Sequence, residues 1–175
     1  MADRARQTGF TLIEILVVLI IVGLLAALAV FNMAGSSQQR ELENEVRELF
    51  LLMQTVRDQA VLNNLEMGLL LEDDGYRFVA FQDDTGEWKA SGERVFRKRP
   101  LPEWLEVTSF VESDTPRLAS VEDRLRPDVV FFSSGETTPF ELEFSIGANT
   151  GQMHVLASDG LSPMEWRRPG GGEDS

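Results

Sequence analysis

Few residues in this sequence combine a reactive type with a suggestive spacing. Glu14 is the only charge between Phe10 and Gln39. It follows Phe10-Thr11-Leu12-Ile13 and opens an aliphatic run. A carboxylate at the edge of such a run costs roughly 2–4 kcal/mol when it is carried deep into an apolar layer, so it calls for a positive partner. The cheapest partner is one that arises only on processing or assembly. Asp73-Asp74 and Asp83-Asp84 are of the ligand type that calcium favours. Each lies beside a glycine turn, and no loop spacing supplies the six or more oxygens of a calcium site, so turn chemistry accounts for them. His154 is the single histidine and has no cysteine or second histidine to act with, which makes it a structural residue. Glu141 and Glu143 share one strand face two residues apart, and a solvated face explains them better than a catalytic carboxylate pair. Arg94, Arg97, Lys98 and Arg99 form a basic cluster, with Arg167-Arg168 near the end of the chain; clustered cations are what a phosphate backbone requires. No glycine-rich loop followed by lysine is present, so no nucleotide site is visible.

The composition narrows these options further. The chain has 175 residues, 16 Lys+Arg against 29 Asp+Glu, a formal net charge of −13 and no cysteine. That length gives one ordinary domain with an appendage rather than two full domains. A missing thiol excludes a disulfide framework, a zinc ribbon and a cysteine nucleophile. The acidic balance opposes a free-standing nucleic-acid binder. Carboxylates alone can catalyse, so enzymatic chemistry is disfavoured by this inventory rather than excluded. The expectation is a non-enzyme without cofactor, metal or small-molecule substrate.

The elements that must position Glu14 come next. Ile15 to Gln39 is a 25-residue stretch without charge. At ~1.5 Å per residue, about 20 helical residues cross a ~30 Å hydrocarbon layer, so the stretch is long enough to span. Arg4 and Arg6 precede it, which favours a cytoplasmic N-terminus with the rest of the chain on the far side. A cleavable secretory signal is the competing account. Its nearest cleavage site, Ala26-Ala27-Leu28-Ala29, lies inside the apolar run, and the run is longer than a signal core.

Gly9-Phe10-Thr11-Leu12-Ile13-Glu14 followed by an aliphatic span resembles the class III signal of type IV pilins and type II secretion pseudopilins. The resemblance implies a membrane peptidase that cuts between Gly9 and Phe10 and N-methylates Phe10, leaving Glu14 as the fifth residue of the mature chain. The new α-amino group of one subunit would then be neutralised by Glu14 of a neighbour. A buried pair of this kind adds little net stability but penalises wrong registers, which suits an assembly device.

Beyond the span, Leu42, Val46, Leu49, Met53, Val56 and Ala60 step by four and three along one helix face. Phe50, Leu52 and Val61 widen that face, and Arg40, Glu41, Glu43, Glu45, Arg47 and Glu48 supply a solvated one. The spacing predicts one helix from about Phe10 to Asn63, with a weak point at Asn32–Ser37 where it can bend. A coiled-coil seam is the narrower alternative to packing on a sheet. From Leu65 the period changes to two. Met67–Glu72, Tyr76–Phe81, Arg94–Arg99, Trp104–Val111, Asp128–Phe132, Pro139–Ile146 and Met153–Ala157 read as strands, and Asp73-Asp74-Gly75 joins the first two as a hairpin turn. Ser113–Arg126 reads as a loop or short helix. Pro169–Ser175 is polar and glycine-rich and is expected to be disordered.

The periodicity gives an α+β fold. The C-terminal half also resembles the H-type minor pseudopilins of type II secretion, a family that shares its domain with FimT-like minor pilins. The residues that carry this are Arg57-Asp58-Gln59-Ala60, Tyr76-Arg77-Phe78 with Gly86-Glu87-Trp88, Val130-Phe131-Phe132 before Gly135, and Phe140 through Gly151-Gln152-Met153-His154-Val155 to Gly160. The resemblance implies a type IV pilin-like fold, a long helix packed on antiparallel sheets. It divides the chain into a leader at 1–9, a membrane half-helix at 10–33, a periplasmic half-helix at 34–64, a β-rich domain at 65–168 and a tail at 169–175. It implies a structural subunit at or near the tip of a periplasmic pseudopilus that helps export folded proteins across the outer membrane. Its implied partners are the prepilin peptidase/methyltransferase, the I, J and K minor pseudopilins, the major pseudopilin and the inner membrane, with no nucleic acid. The alternative is a FimT-like pilin that contacts DNA through Arg167 and Arg168. Against this, removal of residues 1–9 takes away Asp3, Arg4 and Arg6 and leaves 14 basic against 28 acidic side chains, an adverse field.

Overall fold

A computed structural model of the protein describes residues 12–111, 125–147, 149–170 and 173–174, without the side chains of 28–36, 149–151 and 173–174. The chain divides into two compact units, Met1–Arg40 and Glu41–Ser175. One helix, α1 (Leu12–Asn63), runs from the first unit into the second, and helical backbone continues through the Gly/Ser/Asn stretch. Helix α1 ends where Asn64 adopts a left-handed φ of 49°, a conformation that asparagine tolerates better than most residues.

The second unit has two antiparallel sheets. The first joins β1 (Met67–Glu72), β2 (Gly75–Gln82), β3 (Glu87–Ala90) and β6 (Val129–Phe131) in the order β3-β2-β1-β6, with β4 (Arg99–Pro100) pairing to the start of β2. The second orders β10 (Glu173–Asp174), β9 (Glu165–Arg167), β8 (Asn149–Ser158), β7 (Phe140–Ile146) and β5 (Leu105–Val111). The β1–β2 hairpin pairs Glu72 with Gly75 across the Asp73-Asp74 turn, as the sequence predicts.

The core lies where α1 meets the inner faces of both sheets. Leu42, Val46, Leu49, Met53, Val56 and Ala60 are all buried and pack with Met67, Leu69, Phe78, Phe131, Leu142, Phe144 and Trp166. A face this wide, with Phe50 and Leu52 also buried, is packing on sheets and not a coiled-coil seam. Along β7 the alternation holds: Phe140, Leu142 and Phe144 are buried, while Glu141 and Glu143 lie on the other side. The first sheet is buried on both faces, because Val79, Trp88 and Val130 make a second small cluster behind it. Gly68 of β1 is a packing position. A Cβ there would lie 2.4 Å from the Pro127 ring, so only glycine lets that proline close over the sheet.

Several expectations need correction. Val61 is exposed, because it follows Ala60 by one residue and so points about 100° away from the buried stripe near the helix end. Arg94–Arg99 is not a strand: Arg94–Phe96 is a 3-10 turn that sinks Phe96 into the core, and only Arg99–Pro100 pairs with β2. Strand β8 starts at Asn149 rather than Met153, with an irregularity in its pairing to β7 between Phe144 and Ile146. Strand β9 has no counterpart in the periodicity, since three residues are too short for it to show. The tail includes β10, which pairs with β9, instead of being wholly without structure. The expected loop at 113–126 falls mostly outside the described residues.

Candidate functional site

In the first unit every described side chain from Leu12 to Ala27 is exposed, on all sides of the helix. Leu12 is 85% exposed and Ile20 54%, so none of the described residues covers this surface. A helix that is apolar all round is suited to an apolar surrounding supplied from outside, by lipid or by other helices. Glu14 stands in its first turn, where the helix dipole favours an anion. Gly9 and Phe10 lie outside the described residues. Among the described residues no helix is long and apolar enough to cross a membrane; the described side chains of the apolar run stop at Ala27 and resume at Ser37.

The second unit places the other candidates in structural roles. Lys98 bridges Glu72 at 2.8 Å and Asp74 at 2.7 Å, and Arg77 also reaches Glu72 at 2.6 Å. These bonds hold both carboxyls below the usual carboxylate range. Arg99 pairs with Glu48 of α1. Of the central basic cluster, Arg94 and Arg97 remain at the surface on either side of the buried Phe96. At the other basic site, Arg167 reaches Glu141 at 2.6 Å and the Arg168 guanidinium stands 4.2 Å over the Trp166 ring. The cations of the DNA alternative are therefore turned toward carboxylates and an aromatic face.

The acidic candidates are also dispersed. Among the described residues no group of three or more His, Cys, Asp or Glu could hold a metal ion. A cavity of about 550 Å³ opens between the two sheets, with Glu72, Asp73, Asp74, Glu103 and Asp128 among its lining. Asp128 is already committed, accepting from the Leu71 backbone N–H at 2.7 Å, and burial pushes its carboxyl up. His154 accepts from the Trp166 indole at 3.2 Å inside the core and is lowered by burial. Tyr76 is also buried, and burial raises its phenol strongly.

Two contacts tie distant segments to the helix. The Arg57 guanidinium donates to the Gly135 carbonyl at 2.9 Å, 78 residues away. Gly135 takes a φ of 91°, which favours glycine, at the turn after β6. Glu66, just beyond α1, accepts from both the backbone N–H and the hydroxyl of Ser133, each at 2.9 Å. Arg57 and Gly135 both fall in motifs that the sequence singles out, but their pairing could not be read from it.

The model of the prokaryotic N-terminal methylation motif matches residues 4–30, and that of type II transport protein GspH matches residues 45–160. The chain belongs to the GspH family. Its relatives include type II secretion system protein H of Pseudomonas aeruginosa, 35% identical over 160 residues, which cover 87% of this chain and 91% of the relative. The protein of the same name from Aeromonas hydrophila is 31% identical over 148 residues, covering 79% of this chain and 81% of that one. In fold, this GspH-family chain is similar to the crystal structure of the minor pseudopilin EpsH from the type II secretion system of Vibrio cholerae, with a TM-score of 0.63. That match has 16% identity and covers 77% of this chain and 98% of the other. The α+β expectation and its pilin-like arrangement thus hold for a GspH-family fold. The packing of β9 on α1 through Trp166 was the feature that the sequence concealed, because a lone Trp-Arg-Arg near a glycine-rich end has no period to read.

Proposed function

We propose that this chain is a minor pseudopilin of a type II secretion system, a structural subunit of a periplasmic pseudopilus at or near its tip. The observation that carries this is the order of two parts in one chain: a methylation-type N-terminus over residues 4–30, then a GspH domain over 45–160. Cleavage falls between Gly9 and Phe10, and Phe10 is N-methylated by the prepilin peptidase/methyltransferase. Residues 10–33 lie in the inner membrane with the N-terminus cytoplasmic. Residues 34–64 and the β-rich domain at 65–168 lie in the periplasm, where the I, J and K minor pseudopilins and the major pseudopilin are its neighbours. The exposed apolar side chains of 12–27 support a surface meant for lipid and then for neighbouring helices. Glu14 neutralises the α-amino group of a neighbour's Phe10 during entry into the filament. The role is mechanical, without catalysis, cofactor or nucleic acid.

Deletion of the gene in its source bacterium tests the assignment. Exoproteins should accumulate in the periplasm and be released again by a complementing copy. Normal secretion with lost DNA uptake would overturn it in favour of the FimT-like alternative, in which Arg167 and Arg168 would have to leave their present partners. The mechanism has its own test in Glu14→Gln. This variant is expected to insert in the membrane normally yet incorporate poorly into filaments, and unchanged incorporation would remove the role given to Glu14.

A further inference from the structure

A neutral histidine inside the second unit has no part in the role above. His154 of β8 is 3% exposed, and its Nδ1 accepts from the Nε1–H of Trp166 on β9 at 3.2 Å. A ring nitrogen that accepts cannot carry a proton, so this imidazole is neutral with its hydrogen on Nε2. Trp166 is in turn the residue by which the three-residue strand β9 reaches the helix. Its ring lies 6.0 Å from Phe50 of α1, with Arg168 over it at 4.2 Å and Arg47 of α1 at 5.9 Å.

The charges around His154 are few. From α1, Glu43 favours the imidazolium, but its carboxylate is already bound to Arg47 at 2.7 Å. From the segment after β9, Arg168 opposes the imidazolium. On β7 the residue opposite is Phe144, which carries no charge. Burial is the largest influence and also favours the neutral ring. Geometry and burial therefore both favour the ring without that proton, against the opposing pull of Glu43.

We propose that the Trp166–His154 hydrogen bond is an acid-released fastener that holds strand β9 on helix α1. Uptake of a proton at Nδ1 removes the acceptor, leaves the indole N–H buried without a partner and sets an imidazolium beside Arg168. Strand β9 then loosens from Phe50 while the rest of the two sheets stays formed. The unfolded histidine binds its proton at the ordinary value of 6.5 and the folded one at a lower value. The fastener is thus complete above 6.5 and is lost as pH falls from there through the folded value.

The test uses the full chain, ¹⁵N-labelled in detergent micelles and titrated from about pH 8 to about pH 5, the range in which histidine changes charge. His154 is the only histidine, and the three indoles are assigned with Trp166→Phe, so each signal has one origin. The imidazole should titrate below 6.5. The Trp166 indole N–H should shift with the same midpoint and exchange with solvent faster by about tenfold, the factor that loss of one net hydrogen bond carries. The indoles of Trp88 and Trp104 should stay unchanged. In His154→Gln the side-chain carbonyl can still accept, and the response of Trp166 should disappear. A His154 that titrates at or above 6.5, or a Trp166 indole that ignores the imidazole, would overturn the proposal. If His154→Gln fails to fold, the titration of the unaltered chain decides alone.

Discussion

The two halves of α1 have the same backbone and opposite surroundings. Between Leu42 and Ala60 the helix has a buried face and a charged one, and its own chain supplies the cover. From Leu12 to Ala27 every side chain is exposed, although nearly all are aliphatic. At ~25 cal/mol per Å², burial of the first kind is part of folding the subunit, while burial of the second kind is deferred until lipid or other helices provide it. One helix thus divides its apolar surface between folding and assembly.

The largest effect that would sharpen this contrast comes from truncating each half. Met53→Ala should cost about 2–5 kcal/mol in denaturant unfolding of the full chain in micelles. Leu19→Ala should leave the same transition within about 0.5 kcal/mol. Equal losses from the two substitutions would break the comparison. Next comes Gly68→Ala, which drives a methyl group into Pro127 and should cost about 1–3 kcal/mol by overpacking. It should leave membrane insertion, which the proposed function gives to residues 10–33, unchanged. Arg57→Ala removes the bond to the Gly135 carbonyl and should cost about 1.5–3 kcal/mol, read as a lower midpoint at unchanged slope.

The smallest effect is a pH dependence at the surface of the second unit. Bonds from Arg77 and Lys98 hold the folded carboxyl of Glu72 below 4.5. Its contribution is therefore present above 4.5 and is lost as pH falls through the folded value. Glu72→Gln should flatten that acid-side loss slightly, and high salt should mimic part of the change. An unaltered acid limb would mean that solvent already screens these pairs.

Periodicity was enough to recover much of the second unit. The step of four and three from Leu42 to Ala60 identified the helix face, and the step of two from Phe140 to Ile146 identified the strand face, because an amphipathic element writes its partner's side into its own spacing. Arg94–Arg99 misled because it has no clear period. Val95-Phe96 ahead of Pro100 read as a short strand, yet the backbone there curls into a 3-10 turn to deliver Phe96 to the core. Strand β9 was invisible because three residues carry no period. The basic clusters were visible as charge but not as partners, since the ion pairs of Lys98, Arg99 and Arg167 join residues 24 to 51 positions apart.

By itself the sequence determined the elements that depend on local spacing and composition: the apolar N-terminal run with its one carboxylate, the amphipathic second half of the helix, and the hairpins with their glycine turns. Tertiary structure alone decided what depends on contacts across the chain. It placed Pro127 over Gly68, Arg57 on Gly135, Arg167 on Glu141 and Trp166 on His154. The physical reason is range. Period and turn chemistry act within a few residues, whereas a hydrogen bond or a packing contact between distant segments becomes favourable only once the whole fold has brought them together.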